Sequence, residues 1–235
     1  MCGRFVLHTP AEALARHFGA VPGELSLAPQ YNIAPTHDVV VLRVENGQRR
    51  LRTLRWGLIP FWAKDPAIGS RMINARCETA AEKPGFREAL RQRRAIVPAS
   101  GFYEWKKQGK GKQPYYFHAR DDAPLAIAAL WERWKSRDGL RLETCCLLTT
   151  SANRTLDGVH DRMPVLLRPE DYALWLDPGV TDVDAVSPLL SPADDDKLAM
   201  YPVDSCVGDV RNDDEKNIAR ADTGELPLFP GARGV

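Results

Sequence analysis

The chain has 235 residues, of which 44% are apolar and 27% are charged, and its formal net charge is +1. This length and composition are typical of a soluble globular protein whose core needs neither disulfides nor metals. They exclude a membrane anchor, because no run of the sequence approaches the roughly 20 apolar residues that span a bilayer.

We expect one domain over residues 1–222 and a loosely ordered tail over residues 223–235, which are rich in proline and glycine. The first residues resemble neither a secretory signal nor a transit peptide, so a cytoplasmic protein is expected, associated with the nucleoid if the source is bacterial. We also expect a monomer. The five cysteines are odd in number and lack a C-x-x-C spacing, which predicts neither a disulfide framework nor a metal site.

The predicted elements begin with a helix over residues 10–18, with Thr9 as its N-cap and Pro10 at the first helical position. Runs of β-branched and aromatic residues predict strands at residues 39–44, 51–56, 94–97, 115–119, 125–131, 144–149 and 164–167. Two further helices are predicted, at residues 82–92 between the second and third strands and at residues 169–176 after the last. Strands and helices do not alternate regularly. The predicted fold is therefore α+β, with a mostly antiparallel, barrel-like or bifurcated β-sheet core and peripheral helices.

For some residues of these segments, the sequence predicts whether the side chain is buried or exposed. Cys145 and Cys146 lie in an apolar strand run and are interpreted as buried, and Trp56 and Trp131 are interpreted as core residues. The segment KKQGKGK at residues 106–112 is interpreted as an exposed hairpin tip. Contact with a phosphate backbone is the alternative for this segment, because residues 87–112 carry eight basic and two acidic side chains.

The first five residues are Met1-Cys2-Gly3-Arg4-Phe5. Removal of Met1 leaves Cys2 with a free amine and a thiol two carbons apart, which is a 1,2-aminothiol. An aldehyde can form an imine with the amine and then be captured by the sulfur in a five-membered thiazolidine ring. This terminus therefore indicates chemistry on an aldehyde, and the ring cannot form while Met1 remains.

Six short motifs lie in or beside predicted turns, where fixed polar side chains can converge on a ligand. In chain order they are MCGRF at residues 1–5, YNIAPT at 31–36, RWGLIPFW at 55–62, MINAR at 72–76, GFYEW at 101–105 and HDRMP at 160–164. In this order and spacing, the series resembles the SRAP family, SOS-response-associated proteins that crosslink themselves to abasic sites in single-stranded DNA. The resemblance runs from Cys2 to about Asn217, which is nearly the whole chain.

The resemblance implies four catalytic residues. Cys2 supplies the amine and the thiol that react with the ring-opened sugar aldehyde. Glu104 accepts a proton from the amine, because an α-amine with a pKa of roughly 7.7–8.0 is mostly protonated at pH 7. His160 helps to open the sugar ring, and Asn74 orients the amine or a sugar hydroxyl. Without the resemblance, Glu104 is interpreted as an exposed strand-end residue paired with Lys106, and His160 and Asn74 are interpreted as structural.

Five further residues are predicted to bind DNA. Arg4, Arg76 and Arg162 carry forked guanidinium groups suited to phosphate oxygens. Thr149 adds a hydroxyl contact or, alternatively, faces solvent from a strand. Trp62 supplies an aromatic face for a base beside the lesion. The predicted partner is single-stranded DNA containing an abasic site, and the chemistry is expected to need neither a cofactor nor a metal.

The sequence thus predicts a sensor and shield of abasic sites that forms a thiazolidine crosslink. Lyase activity and reversal of the crosslink are expected from the same Schiff base. An N-terminal cysteine hydrolase or autopeptidase is the alternative, with Cys2 attacking an amide and Glu104 or His160 acting as the base. A third hypothesis is a module that binds single strands without chemistry.

Overall fold

The computed structural model describes residues 2–21, 23, 25–109 and 111–221, so the predicted tail lies outside the described residues. The described strands are β1 (Phe5–Leu7), β2 (Gln30–Ile33), β3 (Asp38–Glu45), β4 (Gln48–Trp56), β5 (Asn74–Arg76), β6 (Arg94–Ala99), β7 (Gly101–Gln108), β8 (Gly111–Ala119), β9 (Leu125–Lys135), β10 (Arg141–Ser151), β11 (Arg162–Pro164) and β12 (Leu198–Pro202). The described α-helices are α1 (Ala11–Phe18), α2 (Cys77–Ala80), α3 (Arg87–Gln92), α4 (Arg154–Asp157), α5 (Tyr172–Leu176) and α6 (Val183–Val186). None of these helices is long and apolar enough to cross a membrane.

Five of the strands close into a barrel. β10 pairs in parallel with β4, and the ring continues through antiparallel β3, β6 and β9 until β9 pairs with β10 again. These strands are rich in apolar residues, and Leu42, Ile96 and Leu130 are fully buried. Closure leaves no unpaired strand edge within the ring. The prediction of an α+β fold with a mostly antiparallel, barrel-like core is confirmed.

A second, five-stranded antiparallel sheet, in the order β12, β8, β7, β1 and β2, packs against the barrel. Phe5 of β1 meets Trp56 of the barrel edge-on, with ring centroids 5.3 Å apart. Side chains alternate between the two faces of a strand. Phe102 of β7 accordingly packs in the main core while Tyr103 joins a smaller cluster on the other face. Glu104 therefore lies on the same face of β7 as Phe102, toward the barrel.

The helix predictions are confirmed in part. Helix α1 begins one residue later than predicted, and Thr9 is not its N-cap, because Pro10 occupies that position and the Thr9 hydroxyl instead hydrogen-bonds the Ser100 hydroxyl at 3.1 Å. The helix predicted over residues 82–92 was too long, since only α3 is helical and Pro84 interrupts the pattern before it. The helix predicted over residues 169–176 is confirmed as a 3-10 turn, Pro169–Asp171, that continues into α5.

Most of the predicted strands are confirmed, and one is wrong. The strand predicted over residues 164–167 lies earlier, as β11, and Leu166 forms only an isolated bridge to Ile127. The three-residue strands β1 and β5 are too short to show an alternating pattern. Cys145 and Cys146 are fully buried, as predicted.

The two tryptophans predicted in the core differ. Trp56 is fully buried, whereas Trp131 is only partly buried. The guanidinium groups of Arg43 and Arg133 lie 4.1 and 5.0 Å from the centre of the Trp131 ring. The core prediction for Trp131 is therefore confirmed only in part, because this residue packs against the core while flanking arginines cover its ring on the other side.

Gly57 allows two backbone segments to touch beside the barrel. It has a φ of +132°, and a Cβ added there would lie 2.7 Å from the carbonyl oxygen of Gly69. We expect Gly57→Ala to lower the free energy of unfolding by about 3–4 kcal/mol in urea denaturation. Gly139→Ala is the matched control, because Gly139 has a φ of +90° but no atom within 4 Å of an added Cβ. The free energy of unfolding of this control should fall by about 1 kcal/mol. Equal losses in the two variants would contradict a role for the close contact between Gly57 and Gly69.

Candidate functional site

The four residues predicted to be catalytic come from separate parts of the chain and meet where the second sheet adjoins the barrel. The Asn74 side-chain amide, at the start of β5, donates to the Cys2 carbonyl oxygen at 2.8 Å. His160 precedes β11, and its Nε2 lies 3.9 Å from Oε2 of Glu104 on β7. The negative charge of Glu104 in turn acts on the Cys2 thiol. The structure therefore brings all four side chains together.

One strand fixes two sides of this cluster. β5 pairs in parallel with β10, where Asn74 lies opposite Leu147 and Arg76 opposite Thr149. β11 pairs with the end of the same strand, antiparallel, and Arg162 lies opposite Ser151. The positions of Asn74 and Arg162 are thus set by backbone hydrogen bonds to β10 rather than by loop conformation.

The Cys2 side chain is fully buried. Its Sγ lies 3.8 Å from the carbonyl oxygen of Arg4. Burial, together with the negative charge of Glu104, raises the pKa of the Cys2 thiol well above its ordinary range. The sulfur is accordingly held as a protonated thiol away from bulk water.

Glu104 is a buried carboxyl group that titrates near neutrality. Only 3% of its side chain is exposed, and burial raises its pKa to about 7. Near neutral pH this group can both accept and return a proton. The interpretation of Glu104 as an exposed partner of Lys106 was wrong, because Lys106 makes no ion pair with any described residue.

His160 is held in one orientation by the backbone. Its Nδ1 accepts a hydrogen bond from the Arg162 N–H at 2.9 Å, which leaves the proton of the neutral ring on Nε2, toward Glu104. Oδ1 of Asp161 also lies 3.0 Å from this Nδ1, but the Asp161 side chain is 88% exposed, whereas the backbone donor is fixed. Burial lowers the pKa of His160, which favours the neutral ring.

Asn74 presents a second polar atom inside the cluster. Its Oδ1 is buried and accepts no hydrogen bond from a described residue. A buried acceptor without a donor is unfavourable by about 1–3 kcal/mol. This atom is therefore suited to accept a hydrogen bond from an amine or hydroxyl group that enters the site.

Arg162 and Thr149 lie together at one side of the cluster. The Arg162 guanidinium pairs with both carboxylate oxygens of Glu78 and donates to the Thr149 carbonyl oxygen at 2.7 Å. This arginine lowers the pKa of Glu78 to about 2 through its hydrogen bonds. Thr149 is fully buried, so the alternative that it faces solvent is wrong.

The remaining residues predicted to bind DNA differ in accessibility. The Arg4 guanidinium donates to Oδ1 of Asn32 at 2.8 Å and to the Val207 carbonyl oxygen at 2.9 Å, and it thereby links β1 to the C-terminal segment. Arg76 is exposed at the end of β5. Trp62 is 51% exposed and follows Phe61, which is 57% exposed. Arg76 and Trp62 are thus available to a ligand, whereas the Arg4 guanidinium already makes hydrogen bonds within the protein.

Sequence reasoning missed two residues that organise this region. Glu78 follows the MINAR motif by two positions, and its pairing with Arg162 joins segments 84 residues apart. Asn32 is 1% exposed, and its side-chain amide donates to three backbone carbonyl oxygens, those of Val207, Asp209 and Asn212. The position of Asn32 within the YNIAPT motif could have marked it as a candidate, but its hydrogen-bond partners are evident only from the tertiary structure.

The sequence and the structure of this chain are both similar to those of known proteins. The model of the family described as SOS response associated peptidase (SRAP) matches residues 1–210. The abasic site processing protein YoqW of Bacillus subtilis is 42% identical, with 90% of this chain and 96% of that protein covered. The abasic site processing protein YedK of Escherichia coli is 32% identical, with the same coverage of 90% and 96%.

A crystal structure of a protein from Bacteroides thetaiotaomicron superposes with a TM-score of 0.84 at 27% identity, covering 94% of this chain and 100% of that one. The likeness in fold and the family match both extend over most of the chain. The chain belongs to the SRAP family.

Proposed function

We propose that this protein captures abasic sites in single-stranded DNA by forming a covalent thiazolidine through Cys2 once Met1 has been removed. The observation that carries the proposal is the convergence of Asn74, Glu104 and His160 on the N-terminal cysteine. Similar proteins in Bacillus subtilis and Escherichia coli are named abasic site processing proteins, which supports the same class of substrate.

The first step is formation of a Schiff base. An abasic sugar is partly ring-opened, and its aldehyde carbon accepts the lone pair of the Cys2 amine. Glu104 takes a proton from the amine, for which a carboxyl group with a pKa near 7 is well matched at neutral pH. The Nε2–H of His160 donates to the sugar ring oxygen and promotes ring opening. The carbonyl oxygen leaves as water when the C=N bond forms.

The second step closes the ring. The Cys2 sulfur attacks the imine carbon, a C–S bond forms, and the electron pair of the C=N bond returns to nitrogen. The thiol proton passes through Glu104 to that nitrogen, so no oxidant or metal enters the balance. The burial of the thiol raises its pKa in the free protein, but the attack is intramolecular, and such reactions gain about 7–11 kcal/mol from proximity.

The strand is held by the predicted DNA-binding residues. Arg76 and Trp62 offer an exposed guanidinium and an exposed ring, suited to a phosphate and a base. Arg162 lies beside the sugar, and a phosphate shares it with Glu78. Thr149, which is buried, supports this contact by accepting a hydrogen bond from Arg162 at its carbonyl oxygen. Arg4 anchors the segment between Cys2 and β1 and contributes positive charge. We further propose that the protein acts as a cytoplasmic monomer and needs no cofactor.

The direct test is to incubate the protein lacking Met1 with a single-stranded oligonucleotide that carries one abasic site. We expect a heat-stable adduct on a denaturing gel, with a mass equal to the sum of the two components less one water. An oligonucleotide whose abasic aldehyde has been reduced to an alcohol is the control and should give no adduct. If folded, processed protein forms no adduct with the aldehyde, the proposal is wrong.

A further inference from the structure

The hairpin formed by β7 and β8 extends beyond the sheet to which it belongs. β7 pairs with β1 only at Gly101 and Phe102, and β8 pairs with β12 only over residues 115–119. Among the described residues, those at 106–108 and 111–113 pair only with one another. They form a projecting two-stranded ribbon that carries Lys106, Lys107 and Lys112, here called the lysine ribbon.

The lysine ribbon carries positive charge that the described residues do not neutralise. Lys107 lies directly opposite Lys112 in the strand register. Like charges directly opposite each other across two strands are unfavourable. Neither lysine, nor Lys106, forms an ion pair with a described residue. The acidic side chain nearest to them in sequence is Glu104, which is buried beside Cys2. An anionic partner would remove this repulsion.

The position of the ribbon indicates which anion that is. Lys107 follows Glu104 by three residues on one extended strand, which is a distance of about 10 Å. Lys106 lies two residues from Glu104 and therefore on the same face of β7, whereas Lys107 and its partner Lys112 lie on the opposite face of the ribbon. A polymer held at Glu104 by one reacting sugar has further phosphates within this distance.

We propose that the lysine ribbon binds the phosphate backbone of the nucleic acid that flanks the reacting sugar. This inference rests on the proposed function and adds a second contact surface to it. The ribbon supplies charge rather than sequence readout, because lysine ammonium groups contact phosphates as point charges. It adds affinity and determines on which side of the lesion flanking nucleotides are needed.

A second hairpin provides a matched control. Lys135 and Arg141 are also directly opposite each other, where β9 meets β10. Arg141 lies eight residues before Thr149 on β10, which is about 26 Å from the site. Lys135→Gln/Arg141→Gln removes the same charge from similar geometry, remote from the reacting sugar.

The experiment compares Lys107→Gln/Lys112→Gln with this control, both in a Cys2→Ala background, by fluorescence anisotropy with single strands whose abasic aldehyde has been reduced to an alcohol, so that no Schiff base forms and no strand is cleaved. The abasic site is placed at varied distances from each end, and duplex flanks are tested in a parallel series. For the ribbon variant we expect about tenfold weaker binding at about 0.1 M salt and a salt slope smaller by about 1.5, as two lost phosphate contacts require. The control variant should bind like the parent. The gain in affinity from lengthening one flank should disappear in the ribbon variant.

Adduct formation at saturating protein, in the Cys2 background, separates this inference from the proposed function. The ribbon variant should reach the parental adduct yield, since its chemistry is intact. Unchanged affinity and salt slope on every oligonucleotide would overturn the inference even if the adduct forms normally. Loss of adduct in the ribbon variant at saturation would also overturn it, because the lysines would then act in the chemistry. Absence of adduct from the parent protein would overturn the proposed function alone, since the binding comparison does not depend on Cys2.

Discussion

Cys2→Ala is expected to reduce the heat-stable adduct with an abasic strand to below detection. The alanine variant keeps the α-amine after removal of Met1, so it still forms a Schiff base, but it has no sulfur to close the ring. The open Schiff base makes the 3′ phosphate eliminable by β-elimination. We therefore expect slow strand cleavage above background in Cys2→Ala, measured on a denaturing gel, together with an adduct that borohydride traps.

Cys2→Ser is the companion variant that distinguishes aldehyde capture from amide hydrolysis. Serine keeps both the amine and an oxygen nucleophile, which supports weak activity in some amidases, whereas a stable thiazolidine requires sulfur. Loss of the heat-stable adduct in both variants is the expected result. A heat-stable adduct from Cys2→Ala would contradict the thiazolidine, and absence of cleavage by the same variant would contradict the lyase activity.

Glu104→Gln is expected to slow adduct formation by about 10²-fold or more, because it removes the proposed general base while keeping shape and hydrogen bonding. In the parent protein the rate should rise as the pH passes through about 7, where burial places the pKa of Glu104. The variant should lack this rise. Single-turnover rates between about pH 5.5 and 8.5 measure both effects.

As the pH rises through about 7, the stability of the parent protein should fall while its rate of adduct formation rises. The native pKa of Glu104 is raised above its ordinary value of 4.5, so the folded state binds its proton more tightly than the unfolded state does. The contribution of this group to stability is therefore present at low pH and is lost as the pH rises through about 7. Relative to Glu104→Gln, the parent protein should become less stable over this range in urea denaturation.

Glu132→Gln is the matched control, because Glu132 is also a strand glutamate, is 4% exposed and pairs with Arg93 at 2.8 Å outside the candidate site. This control should lose stability, since it breaks a buried ion pair, and keep the parental rate and pH profile. A parental pH profile in Glu104→Gln would exclude Glu104 as the base.

How much of the fold could be predicted depends on how far apart in sequence the interacting residues lie. Strands such as β3, β9 and β10 were visible in the sequence because local runs of apolar residues determine them. The closure of the barrel by parallel pairing of Thr144 with Arg55 was not visible, since it joins residues 89 positions apart. The cap predicted at Thr9 failed because Ser100, distant in sequence, supplies a competing hydroxyl.

For the site, the chemistry of single residues allowed more to be predicted than the sequence patterns did. The aminothiol of Cys2 is a property of one residue and its position, so it needed no fold. The assembly of Asn74, Glu104 and His160 around it was implied by a family resemblance and agrees with the geometry. The pairing of Glu78 with Arg162 could not be predicted, because neither residue carries a local sign of its partner.

The pairing of β5 and β11 with the same end of β10 restricts where this protein tolerates changes in length. Sliding β10 by a single residue would turn its side chains to the opposite face and displace Asn74 and Arg162 together. The turn between β9 and β10 lies at the other end of this strand, where Ser136 and Leu140 close the loop. Insertions and deletions in this lineage should therefore accumulate in that turn, and the segments that flank Thr149 should keep their length.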